Sequence, residues 1–255
     1  MPGPANEIEI AFATDTGKVR LHNEDSVDAD AGIGLAVLAD GLGGHNAGEV
    51  ASNIAVATLM REIRQAIAHY KTNGGLGEPL AVKLIRENFA KANAVIHEAA
   101  RNQPRYAGMG TTLVVALFHN YRLTVGHIGD SRLYRLHRNQ FERLTHDHSR
   151  LQEQIDSGVL GEEQARHSPI RNVVTRALGV DLEVEAEIHT HDVEPGDIYL
   201  LCSDGLSDMV MDDEIHAALD KLRSNLPRAA KQLVTLANDS GGRDNISVIL
   251  VRVIG

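Results

Sequence analysis

The sequence contains one cysteine, no tryptophan and few aromatic residues of any kind. A single cysteine excludes an intramolecular disulfide and any cysteine-rich zinc or iron–sulfur site. Because aromatic residues make up only 4% of the chain, the core must be built from aliphatic side chains. Cys202 ends an apolar run that starts at Ile198, so we interpret it as a small buried side chain and not as a nucleophile.

Runs of positive charge and long hydrophobic segments are missing as well. The formal net charge is −10 at pH 7, whereas proteins that bind nucleic acid or anionic membranes need a basic face. No segment is long and apolar enough to span a bilayer, and the first residues do not form a basic start followed by an apolar stretch. We therefore expect no nucleic-acid partner, no membrane partner, a cytoplasmic location and a monomer.

The patterns that are present predict one α+β domain over residues 1–255. Strand patterns cover 8–15, 32–39, 111–118, 121–128, 131–137, 197–203 and 245–253, and helical patterns cover a segment that starts at Asn46, a second one after the break at 74–79, 213–222 and 226–238. Successive strands with short connections favour antiparallel sheets, and 131–137 are expected to continue the hairpin formed by the two preceding strands. Residues 146–180 have no clean period and are interpreted as a mobile, partly helical insertion.

Three apolar strands of this pattern end in an aspartate. Asp40 follows GLAVLA, Asp130 follows LTVGHIG, and Asp204 follows YLLCS. A carboxylate directly after a buried strand must be paired, hydrogen-bonded or bound to a metal ion. A fourth residue, Asp244, lies in a glycine-rich turn before the last strand. If the four meet at one end of the sheets, their oxygen atoms favour Mg²⁺ or Mn²⁺, although an Asp-Gly pair taken alone is more often an ordinary turn.

A short segment near the N-terminus adds a different kind of group. Arg20 precedes Glu24 and Asp25 in the stretch RLHNED. The planar guanidinium fork suits bidentate binding of a phosphate. Taken alone, a surface salt bridge is the commoner explanation for such a pattern.

Eight segments, in order along almost the whole chain, together resemble the PP2C-like, or PPM, family of metal-dependent protein phosphatases, especially its compact bacterial members. They are RLHNEDS at 20–26, LADGLGGHNAGE at 38–49, GMGTTLVVAL at 108–117, GHIGDSRLYRL at 126–136, LTHDHS at 144–149, VVTRALG at 173–179, CSDGLSD at 202–208 and GGRDNISVILV at 241–251. The resemblance implies an α-β-β-α sandwich, in which two central antiparallel β-sheets are flanked by helix pairs.

The resemblance also implies an activity and a metal centre. The expected reaction is hydrolysis of phosphoserine and phosphothreonine on proteins, by direct attack of a water that bridges two Mn²⁺ or Mg²⁺ ions. By the same resemblance, Asp40 bridges the two ions. Asp204 and Asp244 complete the first site, and the carbonyl of Gly41 serves the second.

Further roles follow from the resemblance for the remaining candidates. Glu24 and Asp25 are expected to hold waters of the second ion, and Arg20 to bind the substrate phosphate. Asp130, together with Asp204, matches the ligands of a third ion that bacterial members often bind. The expected partners are phosphoserine and phosphothreonine proteins, in particular a Hanks-type Ser/Thr kinase and its targets.

The proton donor is the part of the pattern that the resemblance leaves open. Many eukaryotic relatives carry a histidine directly after the metal-binding Asp-Gly, and here that position is Leu42. A metal-bound water is the first hypothesis for the acid, and His45 a weaker one. Residues 146–180 would form the flap beside the active site, which influences the choice of substrate.

Two other functional classes have to be weighed. A histidine-metal phosphoesterase is not supported, because Val193 stands where the pattern that starts at His189 needs an aspartate, and the pair His146 and His148 lacks a partner at a suitable spacing. No phosphate-binding P-loop motif occurs. The remaining alternative is a catalytically silent regulator that keeps the fold and binds a phosphoprotein. Such relatives usually lose metal aspartates, which are all retained here.

Overall fold

The apolar runs form two antiparallel sheets in this computed structural model, which describes residues 7–43, 47–71, 76–161 and 173–255. The strands are β1 (Ile8–Asp15), β2 (Ser26–Asp30), β3 (Leu35–Ala39), β4 (Gly41–Leu42), β5 (Gly110–Thr111), β6 (Leu113–His119), β7 (Arg122–Ile128), β8 (Arg132–His137), β9 (Gln140–Arg143), β10 (Glu187–Asp192), β11 (Ile198–Cys202) and β12 (Ile246–Val253). The helices are α1 (Ala47–Lys71), α2 (Glu78–Asn102), α3 (Arg150–Asp156), α4 (Asp204–Ser207), α5 (Asp212–Leu222) and α6 (Leu226–Asp239), with a 3₁₀ turn at Pro104–Tyr106.

Each of the two sheets has five strands. The first sheet has the order β1-β12-β11-β8-β9, and the second has the order β10-β7-β6-β3-β2. The strands β4 and β5 form a separate short ribbon. All of these pairs are antiparallel, as short connections between successive strands favour.

Three apolar layers hold the sheets and helices together. Side chains of both sheets meet in the middle, where Phe118 packs edge-on against Tyr199 with ring centroids 5.2 Å apart. The helices α1 and α2 cover the outer face of the second sheet, and α5 and α6 cover the outer face of the first. The largest fully buried side chains are mostly aliphatic, as the composition requires. The predicted α-β-β-α sandwich is therefore confirmed.

The connection after β7 differs from the sequence-based expectation. Residues 131–137 were expected to extend the β6–β7 hairpin, but β8 pairs with β11 and β9 in the first sheet. Gly129, with φ of 96°, turns the chain out of the second sheet just before β8. The alternation of apolar residues is the same in either sheet, so the pattern could not distinguish a continuing meander from a crossover.

Three strands of the two large sheets were not predicted, and all three are edge strands: β2 and β10 of the second sheet and β9 of the first. They are short and mostly polar, so each offers only one or two apolar residues. The predicted strand at 32–39 starts only at Leu35, because Gly34, with φ of 71°, belongs to a turn. The tight turn of the β6–β7 hairpin lies at Asn120 and Tyr121, which both have positive φ.

The helices begin where local signals favour a helix start. Asn225 caps α6, because its side chain accepts a hydrogen bond from the backbone N–H of Arg228 at 3.0 Å. The predicted start of α1 at Asn46 lies outside the described residues, as do residues 162–172 of the predicted insertion. Of that insertion, α3 is helical, and bridges at Val174 and Leu178 tie its last part to Ser149 and Thr111. None of the helices in the described ranges is long and apolar enough to cross a membrane.

Candidate active site

Asp40 directly follows the buried strand β3, and its backbone is fixed from both sides. Its N–H donates to the Thr112 hydroxyl at 3.1 Å, and its carbonyl accepts from the Thr112 N–H at 2.9 Å. The Thr111 hydroxyl donates to the same carbonyl at 2.8 Å. With both backbone groups paired, the Asp40 carboxyl is held beside the other acidic groups described below.

Asp130 and Asp204 reach the same place from different sheets. Asp130 follows β7 after the turn at Gly129, and the neighbouring Ser131 hydroxyl shares a 2.7 Å hydrogen bond with Thr112. Thr112 therefore connects the Asp40 backbone to the segment that carries Asp130. Asp204 follows β11 and opens the short helix α4. The charges of Asp130 and Asp204 both act on the Asp40 carboxyl.

Asp244 and Asp25 complete the group. The Arg20 guanidinium donates to Asp244 at 2.7 Å, and this hydrogen bond raises the pKa of Arg20. The Asp25 carboxyl accepts a hydrogen bond from the Ser203 hydroxyl at 2.8 Å, next to Asp204. The other oxygen of Asp25, Oδ1, is buried and has no hydrogen-bond partner.

Burial of so many carboxyls together strongly disfavours their charged forms. Burial and then the charge of Asp25 raise the pKa of Asp40 well above its ordinary value. Burial and the charge of Asp130 do the same to the pKa of Asp204. Burial raises the pKa of Asp25 to about 6, with a further contribution from the charge of Asp244. Cations placed among these oxygens would relieve the repulsion.

Asp130 is similarly perturbed, and it points to a residue that the sequence analysis missed. Burial and the charge of Asp147 raise the pKa of Asp130 to about 7. The charge of Asp208 also raises the pKa values of both Asp130 and Asp204. The sequence signal for Asp208 was its spacing of four from Asp204, which places two residues on one side of a helical turn.

The remaining predicted candidates lie at the edge of this cluster. Glu24 is half-buried, and burial raises the pKa of its carboxyl. Its carboxyl packs against the start of α1, where a Cβ added at Gly48 would lie 2.8 Å from Glu24 Oε2. A Cβ added at Gly41 would lie 2.3 Å from the Gly48 carbonyl, so only glycine fits between β3 and α1. The Gly41 N–H donates to the Glu24 carbonyl at 3.2 Å.

The chemistry of these groups fits hard divalent cations. The donor set consists of carboxyl oxygens, together with the carbonyl of Gly41, and Mg²⁺ and Mn²⁺ prefer such ligands. The unpartnered Asp25 Oδ1 and the raised pKa values of Asp40 and Asp204 are what a site prepared for cations is expected to have without them.

A second group in the described residues also brings potential metal ligands together. His127, His148 and Glu187 each have a ligand atom within 4.8 Å of the others'. The His148 Nδ1 accepts the Gly129 N–H at 3.2 Å, so its ring proton is on Nε2 and faces Glu187 at 3.3 Å. That nitrogen has no lone pair to offer a cation. The rings of His127 and His148 are also stacked, at 4.9 Å and 11°, so their in-plane lone pairs do not converge.

We therefore interpret the histidine group as a hydrogen-bonded clamp between the second sheet and the segment before α3. The His127 Nε2–H donates to the carbonyl of His146 at 2.8 Å. Burial lowers the pKa of His127 to about 4 and also lowers that of His148, so both rings are neutral. His189 donates to the other oxygen of Glu187 at 2.6 Å. His148 and His189 stand out in the sequence, but their spacing does not indicate that both contact Glu187.

Two further sequence-based interpretations concern the acid and the nucleophile. Leu42 lies in β4 directly after Gly41, and His45 lies outside the described residues. Cys202 is fully buried, and burial raises the pKa of its thiol to about 12. A thiol with such a pKa is not a nucleophile at neutral pH, which agrees with the interpretation of Cys202 as a core residue.

Comparisons with known proteins agree with this arrangement. A family model described as protein phosphatase 2C matches residues 17–238. The chain is 37% identical over 247 residues to the serine/threonine phosphatase stp of Listeria welshimeri, covering 96% of this chain and 95% of that protein. The fold superposes on the Mycobacterium tuberculosis serine/threonine phosphatase PstP/Ppp with a TM-score of 0.87 and 37% identity, covering 97% and 99% of the two chains.

A second solved structure bears on the metal. The catalytic domain of PstP in complex with two manganese ions superposes with a TM-score of 0.86 at 37% identity, over 97% of this chain and 99% of that one. Nothing in these comparisons supports the alternative of a catalytically silent regulator. By a family model that matches most of its length and by relatives that match nearly all of it, the chain belongs to the protein phosphatase 2C family and is a serine/threonine protein phosphatase.

Proposed function

We propose that the aspartate cluster is the metal-dependent active site for hydrolysis of phosphoserine and phosphothreonine on proteins. The observation that carries the proposal is the convergence of Asp25, Asp40, Asp130, Asp204 and Asp244 from separate segments, with pKa values raised by burial for four of them. Two Mn²⁺ or Mg²⁺ ions fit this all-oxygen donor set, and a similar catalytic domain binds two manganese ions. When bound, the ions supply a hydrolytic nucleophile at neutral pH and offset phosphoryl charge.

The roles of the side chains follow from where they lie. Asp40, in the middle of the cluster, would bridge the two ions, and Asp204 and Asp244 would complete the first site. The Gly41 carbonyl would bind the second ion, and Glu24 and Asp25 would hold its waters. Asp40 would hold the ions in place because its backbone is paired with Thr112.

Arg20 would bind the substrate phosphate. Its guanidinium is half-exposed beside Asp244, so it can form a bidentate pair with phosphoryl oxygens while it stays next to the metal ligands. Asp130, with Asp204, would bind a third ion. The charge of Asp208 raises the pKa values of both residues, so we assign Asp208 to the same site. Leu42 stands where many eukaryotic relatives carry a histidine, so that position does not supply the proton for the leaving alkoxide.

The biological setting is a further part of the proposal. We propose that residues 146–180 form a flap that influences the choice of substrate within a single catalytic domain. We also propose that the protein is a cytoplasmic monomer that reverses the action of a Hanks-type Ser/Thr kinase. The support for these finer statements is the resemblance to compact bacterial members of the family.

The test is hydrolysis of a phosphothreonine peptide by purified protein that has been stripped of metal with a chelator. We expect no turnover without added metal and full turnover on addition of millimolar Mn²⁺. The variant Asp40→Asn should lack this turnover. Asp28→Asn is its matched control, because Asp28 is an exposed aspartate on β2. Turnover that persists in the chelated protein, or none in the presence of Mn²⁺, contradicts the proposal.

A further inference from the structure

Arg20 lies on an exposed loop that has to be fixed before it can position a phosphate. We call residues 16–24 the Arg20 loop. Residues 18–22 are all exposed, and the Arg20 side chain is 53% exposed. A binding group contributes to a reaction only when its geometry is held, because a displacement of one ångström is enough to lower the rate strongly. Some other residue must therefore hold the loop.

Asn245 is the residue that closes this loop. It is 5% exposed, follows Asp244 and precedes β12. Its Oδ1 accepts the Glu24 N–H at 2.8 Å. Its Nδ2 donates to the carbonyls of Thr16 and His22, both at 2.9 Å. One side chain thus pairs a backbone group at the start of the loop with two at its end.

The chemistry of these three bonds requires a carboxamide. One oxygen accepts while one nitrogen donates two hydrogens in the same plane, and among the side chains only asparagine and glutamine offer that set. Aspartate keeps the acceptor for Glu24 but has no donor for the carbonyls of Thr16 and His22. An alanine at position 245 would leave three backbone groups without their partner, and buried groups of this kind are almost always paired.

The start of the Arg20 loop also packs on the turn that carries Asp244. The Lys18 N–H donates to the Gly242 carbonyl at 2.7 Å. Gly17 has φ of 80°, and a Cβ there would lie 2.2 Å from the Asp244 carbonyl. The loop and the Asp244 turn are therefore in direct backbone contact, and Asn245 joins them through its side chain.

We propose that Asn245 is a positioning residue, which fixes the Arg20 loop so that Arg20 meets the substrate phosphate. This inference rests on the phosphate-binding role proposed for Arg20. Asn245 does not touch the substrate, so its removal is expected to act on substrate binding through Arg20. Asn245 then lowers KM only through Arg20. Removing both residues should therefore raise KM no more than removing Arg20 alone.

The chain offers a matched control in Asn93 on α2. Asn93 is 2% exposed, and its side chain makes the same three types of backbone bond. Its Nδ2 donates to the carbonyls of Asp181 and Leu182 at 3.0 and 3.2 Å, and its Oδ1 accepts the Gly179 N–H at 2.7 Å. Asn93→Ala therefore removes an equivalent buried anchor away from the Arg20 loop. Because Gly179 lies at the end of the proposed flap, this control is assayed with a small substrate and not with a phosphopeptide. It reports the general cost of losing such an anchor.

The experiment compares Asn245→Ala, Arg20→Ala, the double variant and Asn93→Ala in saturating Mn²⁺. The substrate is p-nitrophenyl phosphate, which contacts the phosphate site with little else. We expect Asn245→Ala to raise KM by about 10-fold with a change in kcat of less than about 3-fold. The double variant should have the KM of Arg20→Ala alone, and Asn93→Ala should lower the Tm as much as Asn245→Ala with KM unchanged.

Three kinetic results would overturn the inference while the role proposed for Arg20 stands. One is an Asn245→Ala enzyme with the wild-type KM, and another is a double variant whose effects on KM multiply. The third is a loss of kcat and of Mn²⁺ affinity at constant KM, which would make Asn245 a support of the metal ligands. If Arg20→Ala itself leaves KM unchanged, the role proposed for Arg20 fails and the inference fails with it.

A measurement on the wild-type protein covers the case in which the variants do not fold. Hydrogen exchange of the Glu24 amide should be slow, because that amide donates to Asn245. The amides of Val19 and Leu21, on exposed residues of the loop tip, should exchange quickly. A Glu24 amide that exchanges as fast as that of Leu21 means that the anchor is absent.

Discussion

Two clusters of buried ionisable groups lie in this molecule, and burial has opposite consequences in them. In the histidine group of His127 and His148, burial lowers the pKa values and the rings become neutral. In the aspartate cluster around Asp40 and Asp204, burial raises the pKa values, and each carboxyl raises those of its neighbours. The same desolvation acts on both, but at neutral pH only the histidines shed their charge by losing a proton.

The difference shows why one cluster fits cations and the other does not. A neutral imidazole can stay buried with a single hydrogen bond, as His127 does with the His146 carbonyl while its Nδ1 has no partner, and His148 faces Glu187. Clustered carboxyls have no such solution, because they need either protons or cations to coexist. Proximity of ligand atoms alone would have favoured the histidine group. The mutual repulsion of buried negative charges identifies the aspartates.

The largest expected effect comes from Asp40→Asn. The amide keeps the size of the side chain but removes the charge that two cations share. We expect kcat/KM with a phosphothreonine peptide to fall by about 10³-fold or more in Mn²⁺. The same substitution should raise the Tm of the metal-free protein, because a buried charge with a raised pKa is removed. Asp28→Asn should change neither, and a highly active Asp40→Asn enzyme would rule out the bridging role.

Asp130→Asn should have a smaller effect that separates the third site from the two core sites. We expect kcat to fall by about 10-fold, with the binding of the two core ions retained. The measurement is steady-state kinetics combined with the stoichiometry of bound Mn²⁺ by calorimetry. If the substitution removes all bound Mn²⁺, Asp130 belongs to the core of the site and not to its edge.

The stability of the metal-free protein should fall as the pH rises. Asp25 and Asp130 have pKa values of about 6 and about 7 in the folded protein, above the ordinary 3.8. The folded state therefore binds protons more tightly than the unfolded state. This contribution to stability is complete below about pH 4 and is lost as the pH rises through about 6 to 7. The lowered pKa values of His127 and His148 oppose this change, whereas the raised pKa values of Asp40 and Asp204 add to it. The Tm in the presence of chelator should therefore drop by several degrees between pH 5 and 8, and Mn²⁺ should restore it most at pH 8. A metal-free Tm that rises over this range contradicts the prediction.

The smallest effect is expected in the histidine group. His148→Gln removes the stack on His127 but leaves the aspartate cluster intact, so stability should fall by about 1 kcal/mol and kcat/KM should stay within about 2-fold. Calorimetry of the wild-type protein with Zn²⁺, measured against the same variant, tests the comparison directly. A Zn²⁺-induced rise in Tm that the variant lacks would show that the histidines bind a metal. It would contradict the conclusion that only the aspartate cluster fits cations.

Much of the fold could be predicted because elements with one buried face have apolar residues at regular intervals in the sequence. The strand β1 and the two helices α5 and α6 lie within a residue or so of their predicted limits. The edge strands β2, β9 and β10 were missed because short, mostly polar strands carry too few apolar residues to stand out. The prediction of which sheet contains β8 was wrong, because alternation indicates which face of a strand is buried and not which strand lies beside it.

The candidate site divides in the same way. The types and positions of Asp40, Asp130 and Asp204 were visible, because a charged residue directly after an apolar strand stands out in the sequence. Asp208 was missed, since the turn of helix that brings it beside Asp204 is only four residues long. Asn245 was also missed as an anchor, because its three partners lie more than two hundred residues earlier in the chain.

By itself the sequence determined an aliphatic α+β sandwich, a set of carboxyls at strand ends, and a resemblance that covers nearly the whole chain. Tertiary structure alone decided which of these groups meet. It brought Asp40, which follows a strand of one sheet, close to Asp204, which follows a strand of the other. It also paired the ring protons of His127 and His148 with the His146 carbonyl and with Glu187. The physical reason is that pKa shifts and metal fit depend on distance and burial in space, and these quantities are set by how the sheets pack and not by the order of residues.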